Sequence, residues 1–194
     1  MAPRVYKHTS SQLVKDGDPV KLECTITGDT RFDVVWLHNE KEIKPSKDFV
    51  YSNAGNSHFL SIQEIFPEDS GTYTCEAFND VGECFSTCTL IVDVPGEELQ
   101  GPKVLNFPKS SSVDKGGSAS FAAEISAAPK KVSWMKDGRE MAEIPMKVKM
   151  TALNKAKLGL DIMDCGPNDA GQYALIVVND KGETKSAFSL NVNM

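Results

Sequence analysis

The residues of this chain best suited to chemistry are its five cysteines, Cys24, Cys75, Cys84, Cys88 and Cys165. Thiols ligate zinc, form disulfides or act as nucleophiles, and each use needs a particular spacing or partner. An odd number cannot all pair. The three histidines, His8, His38 and His58, all lie in the first half and are expected at the surface. Joining two of them to Cys84 or Cys88 as a zinc site would require strands from opposite sheets to converge, and no close ligand pair marks such a site. The sequence therefore predicts no metal and no cofactor. Gly116-Gly117 falls in a turn before a strand, the wrong context for holding phosphate at a helix start. Paired acids such as Glu68-Asp69 fit a tight turn. No nucleophile–base arrangement stands out, and the expectation is that this segment is not an enzyme.

Charge narrows the partners. The 194 residues carry a net charge of −6, unevenly spread. Residues 1–93 hold 8 Lys and Arg against 15 Asp and Glu, a balance of −7. Residues 103–194 hold 13 against 10, a balance of +3. An acidic first half is a poor match for nucleic acid or an anionic membrane, which demand concentrated positive charge. The second half gathers Lys147, Lys149, Lys155 and Lys157 around an expected strand–turn–strand. This basic edge would suit an acidic protein filament such as actin, or would simply discourage strand-to-strand aggregation. No window approaches the roughly 18 apolar residues of a membrane span. The opening residues lack the apolar stretch of a signal peptide, and no Asn-x-Ser/Thr acceptor occurs. A cytoplasmic setting, where thiols stay reduced, is expected.

The elements that position these residues are short strands. Val20, Leu22, Cys24 and Ile26 alternate with Lys21, Glu23, Thr25 and Thr27, the period of two that buries one face of a sheet. Cys84, Ser86, Cys88, Leu90 and Val92 continue that pattern in the last strand of the first half. The two halves repeat. Asp69-Ser-Gly71-Thr-Tyr73-Thr-Cys75 lies over Asp169-Ala-Gly171-Gln-Tyr173-Ala-Leu175, Asn79-Asp-Val-Gly82 over Asn179-Asp-Lys-Gly182, and Trp36 over Trp134. A repeat near 100 residues is a duplicated domain rather than a solenoid unit of about 20–50. The Asn-x-x-Gly segments read as hairpin turns whose residues tolerate positive φ. The predicted boundaries are 1–93 and 103–194, joined by a linker at 94–102.

Cys24, Trp36 and Asp69-x-Gly71-x-Tyr73-x-Cys75 together resemble the immunoglobulin pattern, and the Asn-x-x-Gly turn resembles its intermediate set. Phe66-Pro-Glu-Asp-Ser-Gly-Thr-Tyr-Thr-Cys and Val132-Ser-Trp-Met-Lys-Asp-Gly138 are similar to phrases in the tandems of titin-like giant muscle proteins. The resemblance implies an all-β chain of two immunoglobulin-like sandwiches. It places Cys24, Trp36, Tyr73 and Cys75, and Trp134 and Tyr173, in the two cores. Cys24 and Cys75 would face each other across the first sandwich, as packed thiols, a disulfide or a redox pair. Cys84 and Cys88 are four apart on one strand, about 13 Å, and cannot bridge. On a regular hairpin register each would lie diagonal to Cys75, at roughly 8 Å, also too far for a relaxed bond.

The second half departs from the pattern. Ala123 and Leu175 stand where the first has Cys24 and Cys75, so no core disulfide forms there. The resemblance further implies a structural, elastic and protein-binding segment of a sarcomeric filament, with sarcomeric or cytoskeletal partners. Two other roles compete: an extracellular adhesion or receptor tandem, and a regulatory module beside a kinase domain. The linker, with only Val94 and Leu99 as large apolar residues, predicts an extended but bendable pair with little direct contact.

Overall fold

The computed structural model describes residues 2–28, 31–96 and 101–194. Every extended element in it is a strand, and the chain divides into two compact units, residues 1–97 and 98–194. The first unit runs β1 (Arg4–Lys7), β2 (Gln12–Lys15), β3 (Val20–Thr27), β4 (Asp33–His38), β5 (Lys41–Glu42), β6 (Phe49–Ala54), β7 (Ser57–Ile62), β8 (Gly71–Phe78) and β9 (Glu83–Asp93). One sheet has the order β1-β3-β7-β6 and the other β2-β9-β8-β4-β5. The second unit repeats this with β10 (Val104–Asn106), β11 (Ser111–Asp114), β12 (Ala119–Ile125), β13 (Lys131–Lys136), β14 (Arg139–Glu140), β15 (Val148–Leu153), β16 (Lys157–Ile162), β17 (Gly171–Asn179) and β18 (Gly182–Asn193). Its sheets are β10-β12-β16-β15 and β11-β18-β17-β13-β14.

Alternation places the core. Val20, Leu22, Cys24 and Ile26 of β3 are buried, and so are Ala119, Phe121, Ala123 and Ile125 of β12. Each large apolar side chain removed from water contributes about 1.5–3 kcal/mol, which is what clamps two sheets together.

In both units the opening stretch changes sheets. β1 lies antiparallel to β3, with a register shift between Val5 and Lys7, and β2 then lies parallel to β9. β10 and β11 do the same against β12 and β18. The chain between must cross from one sheet to the other. Pro102, read from the sequence as linker, is buried and its carbonyl accepts a hydrogen bond from Thr184 Oγ1 at 2.7 Å, so it packs within the second unit. Linker positions 97–100 lie outside the described residues.

The turns work differently from the expectation. Of the Asn, Asp and Gly at 79–82 and 179–182, only Gly182 has a positive φ, 154°. The asparagine side chains shape these turns instead: Asn79 Oδ1 accepts from Val81 and Gly82 N–H, and Asn179 Oδ1 from Lys181 and Gly182 N–H. Positive φ is found after β4 and β13, at Asn39 and Glu40 (49° and 72°) and at Asp137 and Gly138 (49° and 83°). There Asn39 Oδ1 caps Thr72 N–H and Asp137 Oδ1 caps Gln172 N–H, both at 3.0 Å. The caps crowd Gly71 and Gly171 so closely that an added Cβ would strike their oxygens, which explains glycine at both positions.

Candidate functional site

The centre of the first sandwich is a group of thiols around Trp36. Cys24, Cys75 and Cys88 are fully buried, Cys84 nearly so, and all are free. Trp36 pairs with Cys75 across β4 and β8, and Cys75 pairs with Ser86 across β8 and β9, which sets Cys84 and Cys88 on its two diagonals. A hydrogen bond links the Cys24 and Cys75 thiols and, with burial, holds Cys75 well above the usual thiol range. Burial pushes Cys84 and Cys88 up to about 12. Since the thiolate is the nucleophile, these groups are inert while the fold is closed. Native protein prepared from a reducing compartment should therefore show no thiol reactive toward an aromatic disulfide reagent at neutral pH. Denaturation without reductant should release five; a count of three would reveal a Cys24–Cys75 bridge.

Tyr73 and Tyr173 each close a short turn. The 3-10 turns Pro67–Asp69 and Pro167–Asp169 precede them, and each tyrosine hydroxyl donates to the carbonyl of the aspartate that ends the turn, at 2.6 and 2.5 Å. Burial, reinforced by the nearby aspartate charge, raises both phenols far above their ordinary value and keeps them as donors. The aspartate carboxylates reach back to Phe66 and Gly166 N–H at 2.9 Å, closing the turns from the other side.

The second core solves the missing thiols with aromatic rings. Strand register places Phe188 where Cys88 stands and Phe121 where Leu22 stands. Phe188 is fully buried, 4.6 Å from Phe121, 5.6 Å from Tyr173 and 5.9 Å, edge-on, from Trp134.

Where the opening stretch crosses between sheets, the units diverge again. His8 Nδ1 lies 2.7 Å from Ser86 Oγ, and that oxygen also accepts from Thr9 N–H at 3.0 Å. Thr9 N–H takes one of the two lone pairs of Ser86 Oγ, so the oxygen meets Nδ1 as donor or as acceptor according to the imidazole tautomer. Burial lowers the His8 pKa to about 4 from 6.5. The second unit has Phe107 at the corresponding register, and the buried Ser186 hydroxyl is left with no partner among the described residues. This clasp carries a pH dependence. A folded pKa below the unfolded value means that the contribution is complete above pH 6.5 and is lost as pH falls from there toward 4. The loss should be on the order of 2 kcal/mol after allowing for solvent at a half-buried ring. Denaturation of the whole chain at pH 7 and pH 4.5 should show it in the first unit, and His8→Phe should abolish it.

All three histidines are half-buried, against the expectation of surface positions. His38 stacks on Tyr73 at 4.4 Å and its Nε2 lies 3.0 Å from Ser70 O, while His58 tilts against Phe32. Cross-strand pairing set His38 beside Tyr73, whereas His8 meets Ser86 and His58 meets Phe32 outside the strand pairing, and alternation within one strand reveals none of these contacts. Among the described residues, no group of three His, Cys, Asp or Glu could hold a metal ion, and no helix is long and apolar enough to cross a membrane.

The lysine edge is smaller than predicted. Lys147 Nζ donates to Asp169 Oδ2 at 2.7 Å and to Asp164 O at 2.8 Å, tying the start of β15 to the tyrosine turn. It is taken out of the patch by a carboxylate distant in sequence. Lys149, Lys155 and Lys157 are exposed along the β15–β16 hairpin, and β15 is the edge strand of its sheet. Lys149 pairs with Asp161, and Lys157 with Glu124, so two of the three face an acid across the strand.

The terminal strands form a further feature that spacing alone did not announce. β2 and β9 pair in parallel over Gln12–Leu90 to Lys15–Asp93, and Asp16 N–H extends the ladder to Asp93 O at 2.9 Å. β11 and β18 pair from Ser111–Leu190 to Asp114–Asn193, extended by Lys115 N–H to Asn193 O at 2.8 Å. At the other end Ser11 Oγ accepts from Thr89 N–H and Ser110 Oγ from Ser189 N–H, both at 2.8 Å. The repeat of Ser11 as Ser110 was the available signal.

Two-sheet sandwiches with a tyrosine-closed turn, a buried tryptophan and a strand that changes sheets define an immunoglobulin-type protein. The chain belongs to the immunoglobulin I-set domain family, whose pattern matches residues 3–92 and again 102–192. It is 34% identical over 190 residues to smooth-muscle myosin light chain kinase of Gallus gallus, covering 97% of this chain and 10% of that protein. It is 31% identical over 193 residues to titin of Drosophila melanogaster, covering 98% of this chain and 1% of titin. A solved chimeric titin Z1Z2-Z1Z2 tandem is 31% identical, covers 99% of this chain and 100% of the other, and superposes with a TM-score of 0.48. The chain thus spans a tenth or less of the length of these muscle relatives.

Proposed function

We propose that the chain is a load-bearing, protein-docking segment of an intracellular sarcomeric filament protein. The observation that carries this reading is the parallel ladder between the opening and closing strands of each unit. In a parallel pair the start of one strand and the end of the other lie at opposite ends. Tension drawn through a unit's two termini therefore loads all the ladder hydrogen bonds together, in shear, instead of peeling them one at a time. Relationship to muscle proteins supports the sarcomeric setting. The domains fall at 1–93 and 102–194, with 94–101 as the joint and Pro102 joined to the second domain by its bond to Thr184. Lys149, Lys155 and Lys157 offer an exposed edge to an acidic protein filament, with actin the candidate.

Single-molecule stretching of the whole chain tests the mechanical reading. Each unit should unfold in one cooperative step. Val14 lies on the same side of its strand as Asp16, whose N–H bonds β9, so Val14→Pro removes a ladder donor. The variant should lower the unfolding force of the first unit alone. Equal forces in the two proteins would remove the ladder as the load-bearing element. A second reading, a regulatory module flanking a kinase, is favoured by the 34% identity to myosin light chain kinase. A kinase domain in the adjoining sequence would decide for it.

A further inference from the structure

Between β5 and β6 the chain runs outside any strand, and Ser46 sits exposed in that stretch. Its N–H donates to Phe49 O at 2.8 Å, and its Oγ accepts from the N–H groups of Asp48 and Phe49, both at 3.2 Å. Both hydrogen bonds to the hydroxyl use its oxygen, so its proton is directed to no protein acceptor and stays available to an external base. Pro45 precedes it and restrains the backbone on its N-terminal side.

The electrostatic surroundings are unusual for this unit. Lys41, Lys44 and Lys47 are exposed and near the serine in sequence, so three of the eight basic residues of residues 1–93 fall within seven positions of a segment whose balance is −7. The duplicated unit supplies an internal comparison. Phe49 and Val148 hold equivalent register positions, against Ile62 and Ile162, which sets Pro145 where Ser46 stands; Met146 follows, held at φ 63° in a tight turn where Lys147 and Val148 N–H both bond Ile144 O. The second copy has no hydroxyl at this place.

We propose that Ser46 is a phosphorylation site for a basophilic serine kinase using ATP. The serine Oγ forms a bond to the γ-phosphorus, the bond from that phosphorus to the β–γ bridging oxygen breaks, the hydroxyl proton passes to the kinase's catalytic aspartate, and ADP leaves. The Asp48 and Phe49 N–H groups then donate to phosphate oxygens, which are stronger acceptors than the hydroxyl, and Lys44 and Lys47 stand beside the new charge. A phosphate adds about −1.5 to −2 charges at neutral pH, turning the densest positive stretch of this unit acidic. The site therefore switches the sign of one surface loop. It does so independently of the mechanical role proposed above.

The test uses the whole chain, ATP and the catalytic fragment of protein kinase C, with intact mass and peptide mapping as readouts. One phosphate per chain is expected, on the peptide that contains Ser46, together with altered amide resonances for Asp48 and Phe49. Ser46→Ala should remove it, and Ser46→Thr, which keeps the hydroxyl and the turn, should retain it. Lys44→Ala combined with Lys47→Ala should slow incorporation roughly tenfold, as two exposed charge contacts are lost. No incorporation into native protein, incorporation unaffected by Ser46→Ala, or an unchanged rate in the lysine variant would each overturn the proposal.

Discussion

Trp134→Ala should destabilise the second unit by about 3–5 kcal/mol, the usual range when a large buried aromatic is emptied. Trp134 is 3% exposed, pairs with Leu175 on the neighbouring strand and meets Phe188 edge-on. Relaxation into the hole is poor, because Ala123 offers only a methyl group and the surrounding strands are fixed by their ladders. Chemical denaturation resolving the two units measures the loss. Lys149→Ala, on the exposed edge, should stay within about 0.5 kcal/mol of the parent. A loss below about 1 kcal/mol for the tryptophan variant would mean that the centre of this core lies elsewhere.

Phe188→Ala should cost a comparable amount, about 3–5 kcal/mol, although it stands at a position where the first unit is content with a cysteine. Phe188 is fully buried and touches the rings of Phe121, Tyr173 and Trp134, so its removal opens the same volume from the same sheet, two strands away from Trp134. Phe188→Cys, which installs the first unit's residue, should also destabilise, because the Cys24–Cys75 pair that helps fill the first core is absent here. The double variant Trp134→Ala/Phe188→Ala should deviate from additivity by about 0.5–3 kcal/mol, as contacting residues do. Strict additivity would show that the two rings do not share one packed volume.

Both expectations depend on how two copies of one architecture fill one space in different ways. In the first, four thiols and Trp36 make the centre; in the second, one small residue is balanced by an added ring. Either solution keeps the tyrosine turn, the tryptophan and the parallel terminal ladder. The copies differ where exposed loops and buried polar groups are concerned: His8 against Phe107, Ser46 against Pro145, and Val81 against Lys181 at the tip of the last hairpin turn. Divergence at such positions leaves the two-sheet frame alone and changes the exposed loops and the polar groups inside each unit.

The sequence alone determined the all-β class, the duplication and the residues of the two cores. These follow from local rules: a period of two decides which side chains of a strand face inward, and Asp-x-Gly-x-Tyr encodes a turn within seven residues of itself. Only the tertiary structure decided that Lys147 belongs to Asp169, that His8 meets Ser86 and has its pKa lowered by burial, that the histidines are half-buried and that Phe188 replaces a thiol. Each of those outcomes joins residues from 22 to 78 positions apart or from opposite sheets. The pattern of one strand fixes the face a side chain takes, but which neighbour meets it there depends on register and on how the sheets are stacked, and those are settled only when the sandwich closes.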